Sequence, residues 1–266
     1  MSAVDELFSR LKGEGRKALM PFVVAGDPDL DFTARLIASL SGLGCHLCEV
    51  GIPYSDPIAD GPVIQAAYSR ALDKHVTLAA ILDMLRGTAA EVSAPLVTMV
   101  SYAIVYRHGL EAYVADAKAA GAAGLIVPDL PVEESGRLAK ICAAEDLSLI
   151  QLVTPTTSPE RTKQIVETST GFLYYVSVVG ITGERNELPP ELVENVGRLR
   201  EQTELPICIG FGISTPEHVR LLAPVADGLI VGSAIVRQIA ECESRSADEV
   251  QQQVEAYVAE LLAALG

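Results

Sequence analysis

The feature that most constrains this chain is a repeated alternation of short apolar runs with segments of helical periodicity. The apolar runs are residues 19–25, 46–50, 95–101, 124–128, 148–154, 171–177, 206–210 and 228–231. The segments of helical period are residues 30–43, 62–73, 77–91, 109–120, 132–144, 159–168, 190–203, 215–222, 233–241 and 247–265. Short β-rich runs followed by turn residues and then by a 3.6-residue period are typical of βα units. The sequence therefore predicts eight βα units.

The apolar runs are continuous in Val, Ile and Leu rather than alternating, which indicates a parallel sheet that is buried on both faces. Eight βα units in 266 residues fit a closed (β/α)8 TIM barrel with extra helices, which we predict as a single domain over residues 1–266. An open, doubly wound sheet is the alternative. Its dinucleotide fingerprint is incomplete, because Gly210 and Gly212 are followed at the required position by Thr215 rather than by glycine.

Charge and hydropathy narrow the class of protein. The chain has 20 Lys and Arg against 35 Asp and Glu, a formal net charge of −15. Such an excess repels phosphate backbones and anionic lipid surfaces, so we expect neither a nucleic-acid partner nor a membrane. The sequence contains no long apolar run, and its N-terminus has no signal-peptide core. We predict a cytoplasmic protein.

The cysteines do not form a disulfide framework. There are five, an odd number: Cys45, Cys48, Cys142, Cys208 and Cys242. Cys45 and Cys48 have the spacing of a metal or redox pair, yet the sequence holds no second pair that would complete a tetrahedral site. We interpret them as buried thiols and expect no metal.

Two carboxylates near the end of the second predicted strand are candidate acid/base groups. Glu49 lies within the apolar end of the strand, where burial raises the cost of its charge. The following loop is rich in proline and returns Asp60 toward the same end of the barrel. Two carboxylates in different environments can divide acid and base roles. The structural alternatives are that Glu49 pairs with a buried arginine or backbone amide and that Asp60 caps the next helix.

Glycine and serine follow the seventh and eighth predicted strands. The turns are residues 210–216, which include Gly212, and residues 232–234, which include Gly232 and Ser233. These positions of a barrel often bind phosphate through backbone N–H groups, which requires no cation. The alternative is a pair of tight turns in which Ser214 or Thr215 caps a helix.

The absence of certain residue types from the predicted strand ends limits the possible chemistry further. None of the six lysines falls at the end of a predicted strand, where a Schiff base would need one, and the four histidines have no metal-ligand spacing. Carboxylate acid/base chemistry on a phosphorylated substrate remains. Apolar side chains near the strand ends that suit a flat aromatic substrate are Phe22, Ile64, Tyr102, Tyr174 and Phe211.

Along essentially its whole length the chain resembles the tryptophan synthase α subunit family. The matching segments are residues 21–28, 49–62, 128–134, 174–177, 180–183, 210–213 and 232–236. The resemblance implies a lyase of tryptophan biosynthesis that cleaves indole-3-glycerol phosphate to indole and glyceraldehyde 3-phosphate. It implies that Asp60 binds the indole N–H and that Glu49 shuttles protons.

The resemblance also assigns the other substrate contacts. Gly183, Gly212, Gly232 and Ser233 would hold the phosphate, and Phe22, Ile64, Tyr174 and Phe211 would pack around the indole. Thr182 would belong to a lid and help to position Asp60. The chain departs from the family pattern at Cys48, where an aliphatic residue is usual, and at Val178, where many members have arginine.

The family's partner is a β subunit that carries pyridoxal phosphate, while no cofactor is expected in this chain. The loop that contains Asp56 would face that partner in an α2β2 heterotetramer. Two other hypotheses stay open at this point: a phosphate-ligand-binding regulatory subunit that activates the β subunit with little catalysis of its own, and a standalone lyase that releases free indole.

Overall fold

A computed structural model describes residues 1–57, 60–176, 190–210 and 212–266. Its strands form a closed barrel in which each strand pairs in parallel with its neighbours in sequence order and β8 pairs with β1. The strands are β1 (Ala18–Val24), β2 (Cys48–Gly51), β3 (Leu96–Met99), β4 (Ala122–Ile126), β5 (Ser148–Val153), β6 (Leu173–Tyr175), β7 (Ile207–Gly210) and β8 (Gly228–Val231). The predicted TIM barrel is confirmed.

Helices surround the barrel. In the described ranges they are α1 (Ala3–Glu14), α2 (Leu30–Gly42), α3 (Pro62–Asp73), α4 (Leu78–Ala89), α5 (Tyr102–His108), α6 (Leu110–Ala119), α7 (Val132–Ala144), α8 (Pro159–Thr168), α9 (Pro190–Arg200), α10 (Pro216–Leu222), α11 (Ser233–Ile239) and α12 (Ala247–Leu265). A 3₁₀ turn at Ala240–Glu243 follows α11. None of these helices is both long enough and apolar enough to cross a membrane.

The core has two layers, as expected for strands that are buried on both faces. An inner layer fills the barrel and includes Met20, Phe22, Val97 and Ile150. An outer layer lies between the strands and the helices and includes Val23, Val50 and Leu149. Consecutive residues of one strand therefore belong to different layers, which explains why the apolar runs are continuous in sequence.

Helix α1 closes the amino-terminal end of the barrel. Ser2 caps the helix through a capping box with Asp5, and the Ser2 and Ser148 hydroxyl oxygens lie 2.6 Å apart. The Phe8 ring lies 5.5 Å from the Phe172 ring, centroid to centroid, at the base of the inner layer. Because this end is filled by side chains, access to the barrel interior is from the carboxyl ends of the strands.

A buried ion pair ties α3 to the loop after β1. The Arg70 guanidinium donates through Nε to Asp27 Oδ1 at 2.9 Å and through Nη2 to Asp27 Oδ2 at 2.7 Å. Asp27 is only 2% exposed, so this two-pronged contact fixes the orientation of α3. The amino-terminal end of the same helix follows Asp60 directly.

Candidate active site

A cavity of about 730 Å³ opens at the carboxyl ends of the strands. Residues that follow β4, β5, β7 and β8 contribute to its wall, as the barrel fold predicts for a functional site. The cavity is lined by seven residues that were selected from the sequence. They are Phe22, Asp60, Ile64, Tyr174, Gly212, Gly232 and Ser233. The volume is ample for a drug-sized or substrate-sized molecule.

Glu49 lies in β2, is completely buried and is not among the described residues that line the cavity. In the register of the barrel it pairs with Phe22 on β1 and Val97 on β3, two residues of the inner layer. Within the described residues neither carboxylate oxygen has a hydrogen-bond partner, so the paired, structural alternative is not observed there. Burial raises the pKa of Glu49 from its ordinary value near 4.5 to about 8. A carboxyl group with such a pKa can both give and take a proton near neutrality.

Asp60 lines the cavity at the end of the loop that leads from β2 into α3. Its backbone is fixed on both sides, because its N–H donates to the Pro57 carbonyl at 3.1 Å and its own carbonyl accepts from Gln65 Nε2 at 2.7 Å. Gly61, not Asp60, occupies the N-cap position of α3, and no side chain caps that helix. The Asp60 carboxylate is therefore available to a ligand rather than used as a cap.

Two residues that the sequence argument did not select affect Asp60. The Tyr54 hydroxyl donates to Asp60 Oδ2 at 3.4 Å. Asp129 accepts from the Ser101 hydroxyl and from the Tyr102 backbone N–H, each at 2.7 Å. Burial is the largest cause that raises the pKa of Asp60, the Tyr54 hydrogen bond lowers it, and the negative charge of Asp129 raises it.

The loops after β7 and β8 meet on one side of the cavity. Gly212 has a φ of 73°, a left-handed conformation that glycine adopts without strain. Thr215 caps α10 by accepting from the His218 N–H at 3.3 Å, so the helix-cap interpretation of this turn is correct. Gly212 and Ser214 nevertheless line the cavity alongside Gly232 and Ser233.

Arginine also contributes to the cavity wall, which the sequence argument did not anticipate. Arg161 on α8 and Arg237 on α11 both line it. Neither residue lies in the two glycine-rich turns, so the turns themselves contain no cation, as the sequence indicated. The cavity nevertheless has local positive charge in a chain whose formal net charge is −15, which favours an anionic ligand.

Other selected residues lie elsewhere or outside the described ranges. Tyr102 begins α5 and packs against the outer core layer, and its ring centroid lies 6.0 Å from that of Tyr106. It is not among the cavity-lining residues that the structure describes. Asp56 is exposed and accepts from the Ser55 hydroxyl at 2.6 Å. Thr182, Gly183 and Phe211, together with Val178, are outside the described residues.

The described part of the chain contains no cluster of three or more potential metal ligands. Cys45 and Cys48 are both buried as free thiols, as interpreted from the sequence. Burial raises the pKa of the Cys45 thiol to about 12 and that of Cys48 well above its usual range. Both thiols are therefore inert at neutral pH.

Known proteins place these features in one family. A family model for the tryptophan synthase alpha chain matches residues 8–265. The tryptophan synthase alpha chain of Rhodopirellula baltica is 57% identical over 258 residues, covering 94% of this chain and 93% of that protein. The Arabidopsis thaliana alpha chain is 44% identical over 242 residues, covering 91% of this chain and 88% of that one.

A solved structure of tryptophan synthase subunit alpha from Legionella pneumophila superposes with a TM-score of 0.91 at 34% identity, covering 100% of this chain and 98% of that one. The sequence resemblance and the barrel agree with these relatives. This chain belongs to the tryptophan synthase alpha chain family.

Proposed function

We propose that the chain is the indole-3-glycerol-phosphate lyase of its family and that Glu49 and Asp60 carry the reaction. The observation that carries this proposal is a pair of carboxylates, one in the cavity wall and one next to it. Asp60 is half-buried in the wall, and the completely buried Glu49 pairs in the strand register with Phe22, which lines the same cavity. The glycine-rich turns and two arginines lie at the same cavity and suit a phosphate group.

The reaction is a retro-aldol cleavage. A proton is added to C3 of the indole ring, which leaves a positive charge on the ring nitrogen. The glycerol hydroxyl next to the breaking bond loses its proton and becomes the aldehyde of glyceraldehyde 3-phosphate. The electrons of the broken carbon–carbon bond return to the ring, and indole forms. The ring itself accepts the electrons, so this step needs no lysine or cofactor.

Glu49 suits the two proton transfers. Its pKa of about 8 means that the carboxyl is largely protonated at neutral pH and can supply the proton for C3. The resulting carboxylate then takes the proton from the glycerol hydroxyl. Asp60 accepts a hydrogen bond from the indole N–H and stabilises the positive charge that develops there.

The remaining assignments complete the site. Gly212, Gly232 and Ser233 would hold the phosphate together with Gly183, and Phe22, Ile64 and Tyr174 would pack around the indole together with Phe211. Thr182 would help to position Asp60. Of the selected residues, Tyr102 has the least support as a substrate contact, because the described cavity wall does not include it.

For the partner, we propose a tryptophan synthase β subunit that carries pyridoxal phosphate, in an α2β2 assembly. Support comes from the exposed Asp56, which lies in the loop that ends at Asp60. A partner bound at this loop would contact the segment that carries the Asp60 carboxylate. A cytoplasmic location and a single-domain organisation over residues 1–266 stay predictions.

The proposal is tested by indole release from indole-3-glycerol phosphate by the purified chain, with and without a β subunit. Glu49→Gln and Asp60→Asn should each lower turnover about a hundredfold or more, the usual scale for lost acid/base catalysis. Glu111→Gln, at an exposed surface position, serves as the matched control and should leave turnover unchanged.

The alternatives give different results in the same assay. Near-normal turnover in either active-site variant contradicts the assigned role of that residue. A wild-type chain that raises β-subunit activity while releasing no indole would favour the regulatory-subunit hypothesis. Full activity that is indifferent to the β subunit would indicate a standalone lyase.

A further inference from the structure

We propose that Tyr54 is a positioning residue for Asp60: the Tyr54 hydroxyl orients the Asp60 carboxylate. The inference rests on the proposed function of the cavity, because it names a residue that acts through one of the two catalytic carboxylates. Its basis is the hydrogen bond from the Tyr54 hydroxyl to Asp60 Oδ2 at 3.4 Å.

The hydrogen bond is directional at the carboxylate. It involves Oδ2, and the described residues supply no partner for Oδ1. An aspartate held at one oxygen presents the other in a defined direction, and Asp60 lines the cavity. That second oxygen is the one we assign to the indole N–H. A carboxylate that rotated freely would present it only part of the time.

The Tyr54 ring is itself held in place. It packs against Tyr68, with ring centroids 5.5 Å apart and an interplanar angle of 50°. Tyr68 lies on α3 and is only 1% exposed, so it provides a rigid contact. Asp60 immediately precedes the N-cap of the same helix. Donor and acceptor are therefore both fixed relative to α3, which the Arg70 pair with Asp27 anchors to the barrel.

Tyr54 itself is not among the described residues of the cavity wall. It is partly buried and packs against the inner core layer. We therefore assign it a role that acts through Asp60 and not a direct contact with the substrate.

The electrostatic surroundings of Asp60 show why a donor is needed there. Tyr54 from its own loop and Asp129 from the loop after β4 influence Asp60, and Tyr68 from α3 and Tyr174 from β6 respond to its charge. Burial and the charge of Asp129 both raise the pKa of Asp60, and the Tyr54 hydrogen bond opposes them. Without the hydroxyl, the opposing contribution is lost and the ionised form is disfavoured.

The test is Tyr54→Phe, which removes the hydroxyl and keeps the ring that packs on Tyr68. In the full chain with the β subunit, we expect kcat for indole release to fall about threefold to tenfold, because one hydrogen bond to a charged group is lost and its donor–acceptor distance of 3.4 Å is at the long end of the range. We expect KM to change less than about twofold, because the charge that Asp60 stabilises develops in the transition state. The acid limb of the kcat profile should move to higher pH by about half a pH unit or more.

Tyr113→Phe is the matched control. It removes the hydroxyl of another buried tyrosine, on α6 in the outer core layer, and should change neither kcat nor the acid limb. A direct titration of the Asp60 carboxyl carbon by NMR, assigned with Asp60→Asn, should show a higher pKa in Tyr54→Phe than in the wild-type chain.

An unchanged kcat and an unchanged acid limb in Tyr54→Phe would overturn the inference, as would a rise in KM alone, which would indicate a packing role. Failure of the proposed function is distinguishable, because the wild-type chain itself would then release no indole. The NMR titration still decides the inference in that case: equal Asp60 pKa values in the two proteins would refute it.

Discussion

A Cβ atom on Gly210 would overlap the hydroxyl oxygen of Tyr174 and would lie 2.7 Å from its Cζ atom. Gly210 ends β7, and Tyr174 lies on the adjacent strand β6, where both line the cavity. The absence of a side chain at position 210 thus makes room for the tyrosine that we assign to the indole contact. Because protein interiors are close-packed, even one methyl group at this position forces a rearrangement.

Gly210→Ala should therefore displace Tyr174 and impair substrate binding. We expect KM for indole-3-glycerol phosphate to rise about tenfold and the protein to lose about 1–3 kcal/mol of stability from overpacking. Steady-state kinetics and urea unfolding measure the two effects. Gly87→Ala, at a helical position where an added Cβ meets nothing within 4 Å, is the control and should leave KM unchanged.

A double-mutant cycle tests the cause. If the displaced tyrosine ring is responsible, Gly210→Ala should cost much less in a Tyr174→Leu background than in the wild-type chain. Additive effects of the two substitutions would mean that position 210 acts in another way.

The Arg70 pair with Asp27 should contribute strongly to stability. Arg70→Met would leave the Asp27 carboxylate without the guanidinium at a position that is only 2% exposed. Breaking one side of a buried pair costs about 3 kcal/mol or more. Denaturant unfolding measures this loss, and part of the activity should be lost with it because α3 follows Asp60.

Arg35→Met is the comparison. Arg35 on α2 pairs with Asp248 on α12 at 3.0 Å, but both side chains are largely exposed. Exposed pairs contribute about 1 kcal/mol or less. Equal losses of stability in the two variants would contradict the assignment of Arg70 as a buried anchor.

Arg237 should assist capture of the phosphorylated substrate. It lines the cavity beside the loop of Gly232 and Ser233, in a chain whose formal net charge of −15 otherwise repels anions. Arg237→Gln should lower kcat/KM several-fold at low ionic strength with little change in kcat. The difference should shrink in 0.5 M salt, because added ions screen charges at an exposed site.

Arg245→Gln is a suitable control for that experiment, because Arg245 pairs with Glu241 and is not among the described residues of the cavity wall. A salt-independent loss in Arg237→Gln would indicate a direct structural contact instead of long-range attraction.

The barrel could be predicted because each strand is specified by a short apolar run of its own in the sequence. Every apolar run produced a strand, and Gly228–Val231 has the predicted bounds. Helix α5 (Tyr102–His108) was not predicted, since it directly follows the third apolar run and only Gly109 separates it from α6, to which the helical period was assigned. The predicted strand at residues 95–101 was longer than the observed Leu96–Met99, because the apolar run continues to Ser101, which already caps α5.

The site was predictable where strand position decides the location of a side chain. Glu49, Phe22 and Tyr174 lie on strands, so their burial and direction follow from the barrel. Tyr54 and Arg237 were missed because their roles depend on how a loop folds back and on where a long side chain ends. Contacts of this kind, made by residues that do not lie on strands, leave no periodic pattern in the sequence.

Glu49 should make the stability of the chain depend on pH. Its folded-state pKa of about 8 lies above its ordinary value near 4.5, so the folded chain binds the proton more tightly than the unfolded chain does. Stability should therefore be greatest below about pH 4.5 as far as this group is concerned and should fall as the pH rises toward 8. Glu49→Gln cannot ionise and lacks this dependence. The free energy of unfolding of the variant, relative to wild type, should thus increase by about 3–5 kcal/mol between pH 5 and pH 8, even though the variant loses activity. Urea unfolding at several pH values in that window measures the difference.

The control is Glu111→Gln, because Arg137 lowers the pKa of the exposed Glu111 and any pH dependence it contributes has the opposite sign. Parallel stability profiles for Glu49→Gln and the wild-type chain would show that the Glu49 carboxyl is not held protonated by burial, and the assignment of its proton-donating role would fail with it.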